Sequence, residues 1–559
     1  MSSMSKKLLC ATAICFAASA FAQSYDLPLI FVQTHGQTLD SLEKKNVSIR
    51  LLDNGTNFAS DSAQGILLNA GMKIRGQTSA TFPKKGYRLE IWDEQGQDMD
   101  FAFLGMPASD DWVLHGPYVD KTLIRNALAH YLYQRTGRYS PRTRFAELFL
   151  NGEYKGVYLV EEKIKRGKDR INIAKIKETD ISGDELTGGY IWSIDKVNNN
   201  STQGLDAEGF KSNGGSPIVM RYPKKENLTS EQLSYIQSFV NNIESTCTSG
   251  NMGESGCASI VDFDAAVDYM MHQEITKNTD AYICSFYMFK DKDSKGGKMQ
   301  MGAPWDFNLA FGAVNYSSGM DSTGWQIEVN AQTMSMGDYF VTNWEKNIWN
   351  DATFQEKFKA RWEELRSSVW HSKNINHFID SLKTLLSNAA TRNFERWPNL
   401  GKASGMYDAD PLTSNTSNGE NNGGFGGWGG FGGWGGFNFG MTMNGYSEPT
   451  WDAEVEHLRN YVMARIRWID SQENFTEPPE PIAKESLPTK KYRFLNHFSL
   501  EGNALHIQSE QGGTIQLIDL NGKELYKKEI PQGNVTIELP ENVRHKAWAI
   551  RLNRSMQTR

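Results

Sequence analysis

Residues 278–312 read NTDAYICSFYMFKDKDSKGGKMQMGAPWDFNLAFG. This pattern predicts an antiparallel hairpin whose strands, Phe286–Lys290 and Lys298–Met301, are joined by a glycine-containing turn. Asp280 stands shortly before the first strand, and Asp306 follows the second. Because paired strands lie about 5 Å apart, the two carboxylates should meet at the open end of the hairpin. That geometry can hold Mg²⁺ and a substrate hydroxyl together. The alternative is that they are two ordinary loop aspartates that cap turns.

The sequence on the two sides of residue 165 differs in predicted secondary structure. Between Leu27 and Glu162, short apolar and β-branched runs predict strands, with one helix that begins at its cap Asp120 and ends at Gly137. After Gly188, two strands lead into a region dominated by helical periodicity. The predicted helices are Ser230–Glu244, Phe263–Lys277, Phe354–Val369, Ile375–Arg396 and Asp452–Gln472. We therefore expect an α+β fold with a sheet-rich lobe at about 23–165 and a helix-rich lobe at about 166–475.

The first 22 residues predict an export signal. A positive start precedes the apolar run Leu8–Ala18, which is too short to span a bilayer, and small residues suit cleavage after Ala22. A lipid anchor at Cys10 or Cys15 is the competing interpretation, although neither follows a convincing lipobox. No later stretch approaches the roughly 20 apolar residues of a membrane helix. We expect a secreted or cell-surface protein without a transmembrane segment in the mature chain.

Charge and cysteine content narrow the classes of partner and compartment. The net charge of −7 is spread over interspersed signs, which argues against a nucleic-acid partner. Cys247 and Cys257 bracket a loop rich in Ser and Gly, so a local disulfide is expected in an oxidising compartment. Cys284 is left over, and a buried, inert thiol is its simplest interpretation.

The last third of the chain contains an insert, a linker and a further domain. The insert, at about 415–447, repeats an aromatic residue every third position from Phe425 to Phe437. It predicts a flexible surface loop, with an aromatic patch for sugars or other polymers as the alternative. A proline-rich linker at 476–493 precedes short strands at 494–559, which predict a small β-sandwich. Within these strands, residues 514–523 resemble the C-terminal sorting domains of exported bacterial proteins.

The sheet-rich lobe offers candidate ligands for phosphate groups. Arg75 opens a Gly/Ser/Thr turn after a strand, and Lys85 and Arg88 stand at the start of the next strand. Backbone amides in such a turn can contact a phosphate while the cations neutralise it. Solvated surface residues beside a turn give the same pattern. The chain has neither a Walker A motif nor a G-x-G-x-x-G motif.

Six short motifs make the chain resemble the spore coat protein H (CotH) kinase family, which are secreted atypical protein kinases. The resemblance runs from about Leu27 to Gln472, apart from the glycine-rich insert, and the order and spacing of the motifs also fit. The motifs are RGQTS at 75–79, PKKGYRL at 83–89, DWVL at 111–114, DKTLIRN at 120–126, LNGEYKGVY at 150–158 and WDFN at 305–308.

The resemblance implies a two-lobed atypical protein-kinase-like fold that uses ATP and Mg²⁺ (or Mn²⁺). It implies transfer of the γ-phosphate to Ser or Thr of a protein, here an envelope or extracellular protein. Asp280 falls at the catalytic aspartate of the family, and Asp306 falls at its metal-binding aspartate. Arg75 and Lys85 are candidates for the phosphates. Glu162 is a candidate for cofactor binding, because it ends a strand near the expected cleft between the lobes.

Two positions depart from the family pattern. Family members usually read Trp-Asp-Phe/Tyr-Asp, whereas this chain has Asn308 in the last position, and Ser285 stands where an Asn is expected. Both are kept as candidate metal ligands, since a serine hydroxyl ligates Mg²⁺ in P-loop enzymes. Losing a carboxylate lowers the charge offered to the cation, so we expect weaker metal binding.

Three functions are compatible with these patterns. The first is a secreted protein Ser/Thr kinase. The second is a catalytically weak or inactive surface or matrix protein of the same fold, which binds polysaccharide or protein partners through the insert. The third is a glycoside hydrolase, since secreted aromatic-rich chains with paired carboxylates often cleave sugars. Aspartate rather than glutamate at the paired sites speaks against the third.

Overall fold

The computed structural model describes residues 23–196, 205–333, 341–405, 408, 410–411, 442–444 and 447–482, and six stretches between 498 and 553. The predicted export signal, the aromatic repeats of the insert and most of the linker lie outside these residues. The described part contains both sheets and helices, so the predicted α+β class is confirmed.

The first region is built around a closed seven-stranded barrel with the strand order β2-β3-β5-β6-β7-β9-β8. Parallel pairing of Leu29 in β2 with Glu147 in β8 closes the barrel, whose other neighbours are antiparallel. Apolar side chains such as Ile49, Leu89 and Trp112 fill its interior. The strands of this region are β1 Ser24–Tyr25, β2 Leu29–Gln33, β3 Lys45–Leu52, β4 Asn57–Phe58, β5 Ile66–Arg75, β6 Gly86–Trp92, β7 Asp111–His115, β8 Thr143–Leu150 and β9 Glu153–Glu162.

The hairpin of β8 and β9 turns at the predicted Asn-Gly pair. Asn151 and Gly152 have φ values of 51° and 82°. Two successive positive values suit the tight turns that match the twist of paired strands. The Asn151 side chain also accepts a hydrogen bond from the Thr34 amide at 2.9 Å, which ties this turn to the end of β2.

A five-stranded antiparallel sheet lies at the centre of the second region. Its strand order is β11-β12-β10-β13-β14, so β10 pairs with β13, which is distant in sequence. The strands are β10 Tyr190–Ile194, β11 Gly209–Lys211, β12 Pro217–Tyr222, β13 Phe286–Lys290 and β14 Gln300–Met301.

Eleven α-helices occur among the described residues. Side-chain caps begin several of them: Thr229 and Gln232 form a capping box, and Asp351 accepts a hydrogen bond from the Phe354 amide at 2.9 Å. The helices are α1 Arg125–Gln134, α2 Gly183–Leu186, α3 Leu205–Glu208, α4 Ser230–Thr248, α5 Cys257–Ile260, α6 Phe263–Thr276, α7 Gln326–Thr333, α8 Asn343–Asn350, α9 Ala352–Arg366, α10 Ser372–Arg396 and α11 Trp451–Gln472. Helices α7 and α8 have no counterpart in the sequence prediction.

Helix α1 begins later than predicted. Its first residue is Arg125, because Asp120 caps a preceding turn: its carboxylate accepts bonds from the Thr122 amide and hydroxyl as well as from the Arg125 amide. Although α1 lies between β7 and β8 in sequence, Leu128 and Leu132 pack in one core with the helices of the second region.

Helix α10 joins the barrel to the helical region through buried polar contacts. The Asn393 side-chain oxygen accepts hydrogen bonds from Lys84 Nζ at 2.7 Å and from the Val157 amide at 3.1 Å. Arg392 pairs with Glu147 through two contacts of 2.9 and 2.5 Å, and both side chains are buried. These contacts fix α10 against β8 and β9.

The remaining predictions concern the cysteines and the C-terminal strands. Cys247 and Cys257 form the predicted disulfide, and Cys284 is a buried free thiol. The C-terminal strands form two antiparallel sheets of three, in the orders β17-β18-β21 and β20-β19-β22, and packing of the two sheets as a sandwich stays a prediction. The strands are β15 Ser404–Gly405, β16 Thr442–Asn444, β17 Phe498–Glu501, β18 Ala504–Ser509, β19 Gly513–Asp519, β20 Glu524–Ile530, β21 Gly533–Glu538 and β22 Trp548–Asn553. Among the described residues, no helix combines the length and apolar character of a membrane span.

Candidate active site

Three chain segments that carry acidic residues emerge from the same end of the strands in the five-stranded sheet. The last residue of β10, Ile194, pairs with the first residue of β13, Phe286. Met301, which ends β14, pairs with Met288 near the start of β13. Since all three strands are antiparallel neighbours, the segments after β10, before β13 and after β14 emerge together. They carry Asp195, Asp280 and Asp306.

The segment that carries Asp280 is held in a tight irregular turn between α6 and β13. The Asp280 carbonyl accepts hydrogen bonds from the amides of Ile283 and Cys284. Tyr282 and Ser285 have positive φ values of 69° and 51°, and such backbone conformations in non-glycine residues cost about 1–3 kcal/mol each. The Tyr282 hydroxyl anchors the turn by donating a bond of 2.9 Å to the buried Glu274.

The loop that carries Asp306 is held by helix α1 rather than by its own sheet. Asp306 has a φ of 67°, and the amide that follows it, that of Phe307, donates to the Asn126 side chain at 2.9 Å. Arg125 donates from Nε to the Ala310 carbonyl at 3.0 Å. Through these contacts Arg125 and Asn126 orient the loop that contains the WDFN motif.

Both aspartates have raised pKa values. Burial raises the pKa of Asp306 to about 6; Arg75 opposes this shift, and Asp280 and Asp195 add to it. Burial also raises the pKa of Asp280, with Lys196 opposing and Asp195 adding to the shift. Asp280 therefore acts on Asp306 at the end of the sheet where their two segments emerge, and a direct meeting of the two carboxylates stays a prediction.

The predicted phosphate ligands lie in different surroundings. The Arg75 guanidinium stacks over the Trp305 ring at 5.1 Å from its centroid, which places it beside Asp306. Lys85 turns back on its own loop and donates from Nζ to the Ala80 carbonyl at 2.8 Å. Arg75 therefore joins the acidic cluster, and Lys85 does not contact it in the described structure.

Glu162 is engaged in a separate ion-pair network. It is fully buried and binds Arg142 Nη1 at 2.7 Å, and Arg170 also donates to it. Its neighbour Glu161, on the opposite face of β9, accepts from Asn126 Nδ2 at 3.0 Å. Burial raises the pKa of Glu161 to about 7, with Arg75 opposing and Asp306 contributing to the shift. Glu161 is thus the residue of this pair that adjoins the site, because alternate side chains of a strand point to opposite faces.

The donor set fits a divalent cation held by Asp306 beside the segment of Asp280, since carboxylate oxygens suit Mg²⁺. Ser285 and Asn308 are half-buried at the same edge, and their roles as ligands stay predictions. Within the described residues, a different set brings three carboxylates within 4.8 Å of one another. That set is Glu90, Asp110 and Asp111. It is already neutralised by four cations, namely Lys44, Arg88, Lys163 and Lys165.

Two residues of the site, Asp195 and Lys196, were not predicted from the sequence. They follow the strand Tyr190–Ile194, whose pairing with β13 joins segments almost a hundred residues apart. The sequence signal available was an Asp-Lys pair directly after an apolar strand. Nothing in that local pattern indicates which strand lies beside the Asp-Lys pair in the sheet.

Comparison with known proteins agrees with this geometry. The family described as CotH kinase protein matches residues 72–469, well over half of the chain. The inner spore coat protein H of Bacillus subtilis is 24% identical over 246 residues, which cover 44% of this chain and 59% of that protein. The chain thus spans about three-fifths of the length of this curated relative. The family match includes the hairpin, both aspartates and helix α1, and the chain belongs to the CotH kinase protein family.

Proposed function

We propose that this protein is a secreted protein kinase that transfers the γ-phosphate of ATP to Ser or Thr residues of an envelope or extracellular protein. The observation that carries the proposal is that the segments of Asp280 and Asp306 emerge together at one end of the five-stranded sheet, in a chain of the CotH kinase protein family. The proposed fold is two-lobed, with the barrel as one lobe and the helical region as the other.

Each group at this end of the five-stranded sheet has a part in the proposed phosphate transfer. Asp280 orients the acceptor hydroxyl and takes up its proton. Asp306 is the principal metal ligand, with Asn308 and Ser285 as further candidates. When bound, Mg²⁺ or Mn²⁺ supplies positive charge to the phosphate oxygens. Arg75 contributes a fixed guanidinium beside Asp306.

A phosphate-transfer assay tests this proposal. The purified full-length chain is incubated with labelled ATP, Mg²⁺ or Mn²⁺ and casein as a generic acceptor. We expect transfer by the wild type, and a fall of at least about 100-fold in Asp280→Asn and Asp306→Asn. The control is Asp169→Asn, an exposed aspartate outside the site, which should act as the wild type does. Equal labelling by the wild type and both site variants would remove the kinase proposal.

A second function is favoured by Asn308 and Ser285, which replace expected metal ligands. In that case the protein is a surface or matrix protein of the same fold that binds polysaccharide or protein partners through its glycine-rich insert. Titration calorimetry with ATP and Mn²⁺, beside a polysaccharide sedimentation assay, separates the two. Polysaccharide binding without nucleotide binding or phosphate transfer would favour the second function.

Secretion is supported by the pattern of the first 22 residues, and the printed name of the relative places that protein in a spore coat. The proposed location is outside the cytoplasm, either released or at the cell surface. The test is N-terminal sequencing of the protein recovered from the culture medium or the cell surface, which should begin at Gln23. An intact Met1 on all of the recovered protein would contradict cleavage of a signal.

A further inference from the structure

The Asp195-Lys196 pair occupies a defined position at the candidate site. Both residues follow β10 directly, beside the start of β13 at Phe286. The turn that carries Asp280 leads into that same strand. Both residues are half-buried, so their side chains are reachable from solvent.

Asp195 is fixed by a nearby cation. Arg221 Nη2 binds its carboxylate at 2.6 Å, and Arg221 Nε donates to Ser193 Oγ at 2.9 Å. The other oxygen of the Asp195 carboxylate accepts from the Lys196 amide at 2.9 Å. Asp195 is therefore neutralised by Arg221, and its remaining oxygen holds the backbone of Lys196 in place.

Lys196 has a different role from the ion-paired cations around it. It follows β10 beside the start of β13, and against the opposing effect of burial its pKa is raised by Cys284, Asp280, Asp195 and Asp306. Yet in the part of the chain that the structure describes, no carboxylate forms an ion pair with it within 4 Å. A lysine that lies beside acidic residues and forms no direct ion pair with a carboxylate can bind an anionic ligand.

We infer that Lys196 is a phosphate-binding residue of this site, whose ammonium contacts the terminal phosphate of the nucleotide and the phosphoryl group in transit. This inference rests on the proposed kinase function. A nucleoside triphosphate carries several negative charges, and Asp280 and Asp306 repel them. A metal ion and Arg75 offset part of this charge, and Lys196 supplies a further positive charge on the side of Asp280.

The transfer step balances with these groups. The bond between the terminal phosphorus and the bridging oxygen breaks, and the nucleoside diphosphate leaves with that electron pair. A new bond forms between the phosphorus and the acceptor hydroxyl oxygen, whose proton passes to Asp280. Lys196 keeps its proton throughout and stabilises the charge on the transferring oxygens.

The test compares Lys196→Met, Lys196→Arg and the control Lys168→Met, an exposed lysine outside the site. The full-length proteins are assayed for kcat and KM with ATP and Mn²⁺, and their melting temperatures confirm folding. We expect kcat to fall about 10–100-fold in Lys196→Met, equivalent to about 1.4–2.7 kcal/mol of transition-state stabilisation. Lys196→Arg should recover part of this loss, and the control should match the wild type. An active wild type with unchanged kcat and KM in Lys196→Met overturns the inference and leaves the kinase proposal standing.

A binding measurement keeps the inference testable if the wild type transfers no phosphate. Melting temperatures are then measured with AMP and with ATP, each with Mn²⁺. A larger rise with ATP than with AMP in the wild type, lost in Lys196→Met and kept in Lys168→Met, supports the phosphate contact although the kinase proposal has failed. Equal rises with the two nucleotides in the wild type, or a difference that survives in Lys196→Met, overturn it.

Discussion

The buried carboxylate of Glu274 in helix α6 is predicted to make a large polar contribution to the stability of the site. It is inaccessible to solvent and accepts four hydrogen bonds. The donors are the amides of Gln326 and Ile327 at 2.6 and 3.0 Å, the Tyr282 hydroxyl at 2.9 Å and Arg465 Nη2 at 3.1 Å. It thus connects the first turn of α7, the turn that carries Asp280 and helix α11.

Replacing Glu274 by Ala leaves the Arg465 guanidinium buried without its carboxylate. Breaking a buried pair by removing one partner costs about 3–5 kcal/mol. Each helix amide left without an acceptor adds about 1–3 kcal/mol if water cannot reach it. Arg465 keeps its bonds to the carbonyls of Glu274 and Gly324 at 2.8 and 2.7 Å, which limits the loss. We therefore expect Glu274→Ala to lower the free energy of unfolding by about 4 kcal/mol.

The assay is urea unfolding followed by tryptophan fluorescence, with Glu356→Ala, an exposed glutamate of helix α9, as the control. The control should change stability by less than about 0.5 kcal/mol. The double variant Glu274→Ala with Arg465→Met removes both charges, so it should be less destabilised than the sum of the two single variants. A loss below about 1 kcal/mol in Glu274→Ala, or strict additivity in the double variant, would refute this account of the buried pair.

Three further predictions follow from buried groups elsewhere in the fold. Burial raises the pKa of Glu345 to about 8 from its usual 4.5, so the wild type should lose stability relative to Glu345→Gln as the pH rises between these values. Measured by urea unfolding, the difference in free energy of unfolding between the two proteins should change by at least about 1 kcal/mol from pH 5 to pH 8. Asn393→Ala leaves the buried Lys84 ammonium and a barrel amide without their shared acceptor and should cost about 2–4 kcal/mol in the same assay. Cys247→Ser opens the loop closed by the disulfide and should cost about 2.5 kcal/mol, measured by thermal unfolding under non-reducing conditions.

Each of these predictions has a matched comparison. A constant stability difference between the wild type and Glu345→Gln at both pH values would contradict the raised pKa. Asn393→Asp keeps an acceptor for Lys84, so it should be less destabilising than Asn393→Ala. Reduction of the wild-type disulfide should lower its stability to that of Cys247→Ser, and a wild type indifferent to reductant would contradict the proposed contribution.

The sequence was sufficient to predict the hairpin and the common end at which the segments of Asp280 and Asp306 emerge, because a turn between two adjacent strands determines which ends are neighbours. It was not sufficient to choose between Glu161 and Glu162. Strand β9 is buried on both faces over its second half, so the usual alternation of polar and apolar residues that assigns a side chain to a face is absent.

Local sequence patterns also could not predict which distant strands pair with one another. The parallel contact of β2 with β8 closes the barrel, and the pairing of β10 with β13 brings Asp195 and Lys196 to the site. Both depend on tertiary packing rather than on the residues of one strand. Helices α7 and α8 were missed because they are only eight residues long, which gives too few turns for an apolar periodicity to stand out.

The position of helix α1 has a consequence for any attempt to divide this protein. The helix is encoded between two barrel strands, yet Leu128 and Leu132 belong to the core of the helical region, and Asn126 holds the loop of Asp306. A fragment that ends at residue 165 would contain α1 with the apolar face of this helix exposed to solvent. The complementary fragment would retain both site aspartates but would lack the support of one of them. Neither piece is therefore an autonomous folding unit, and complementation between co-expressed fragments would have to rebuild this interdigitated joint.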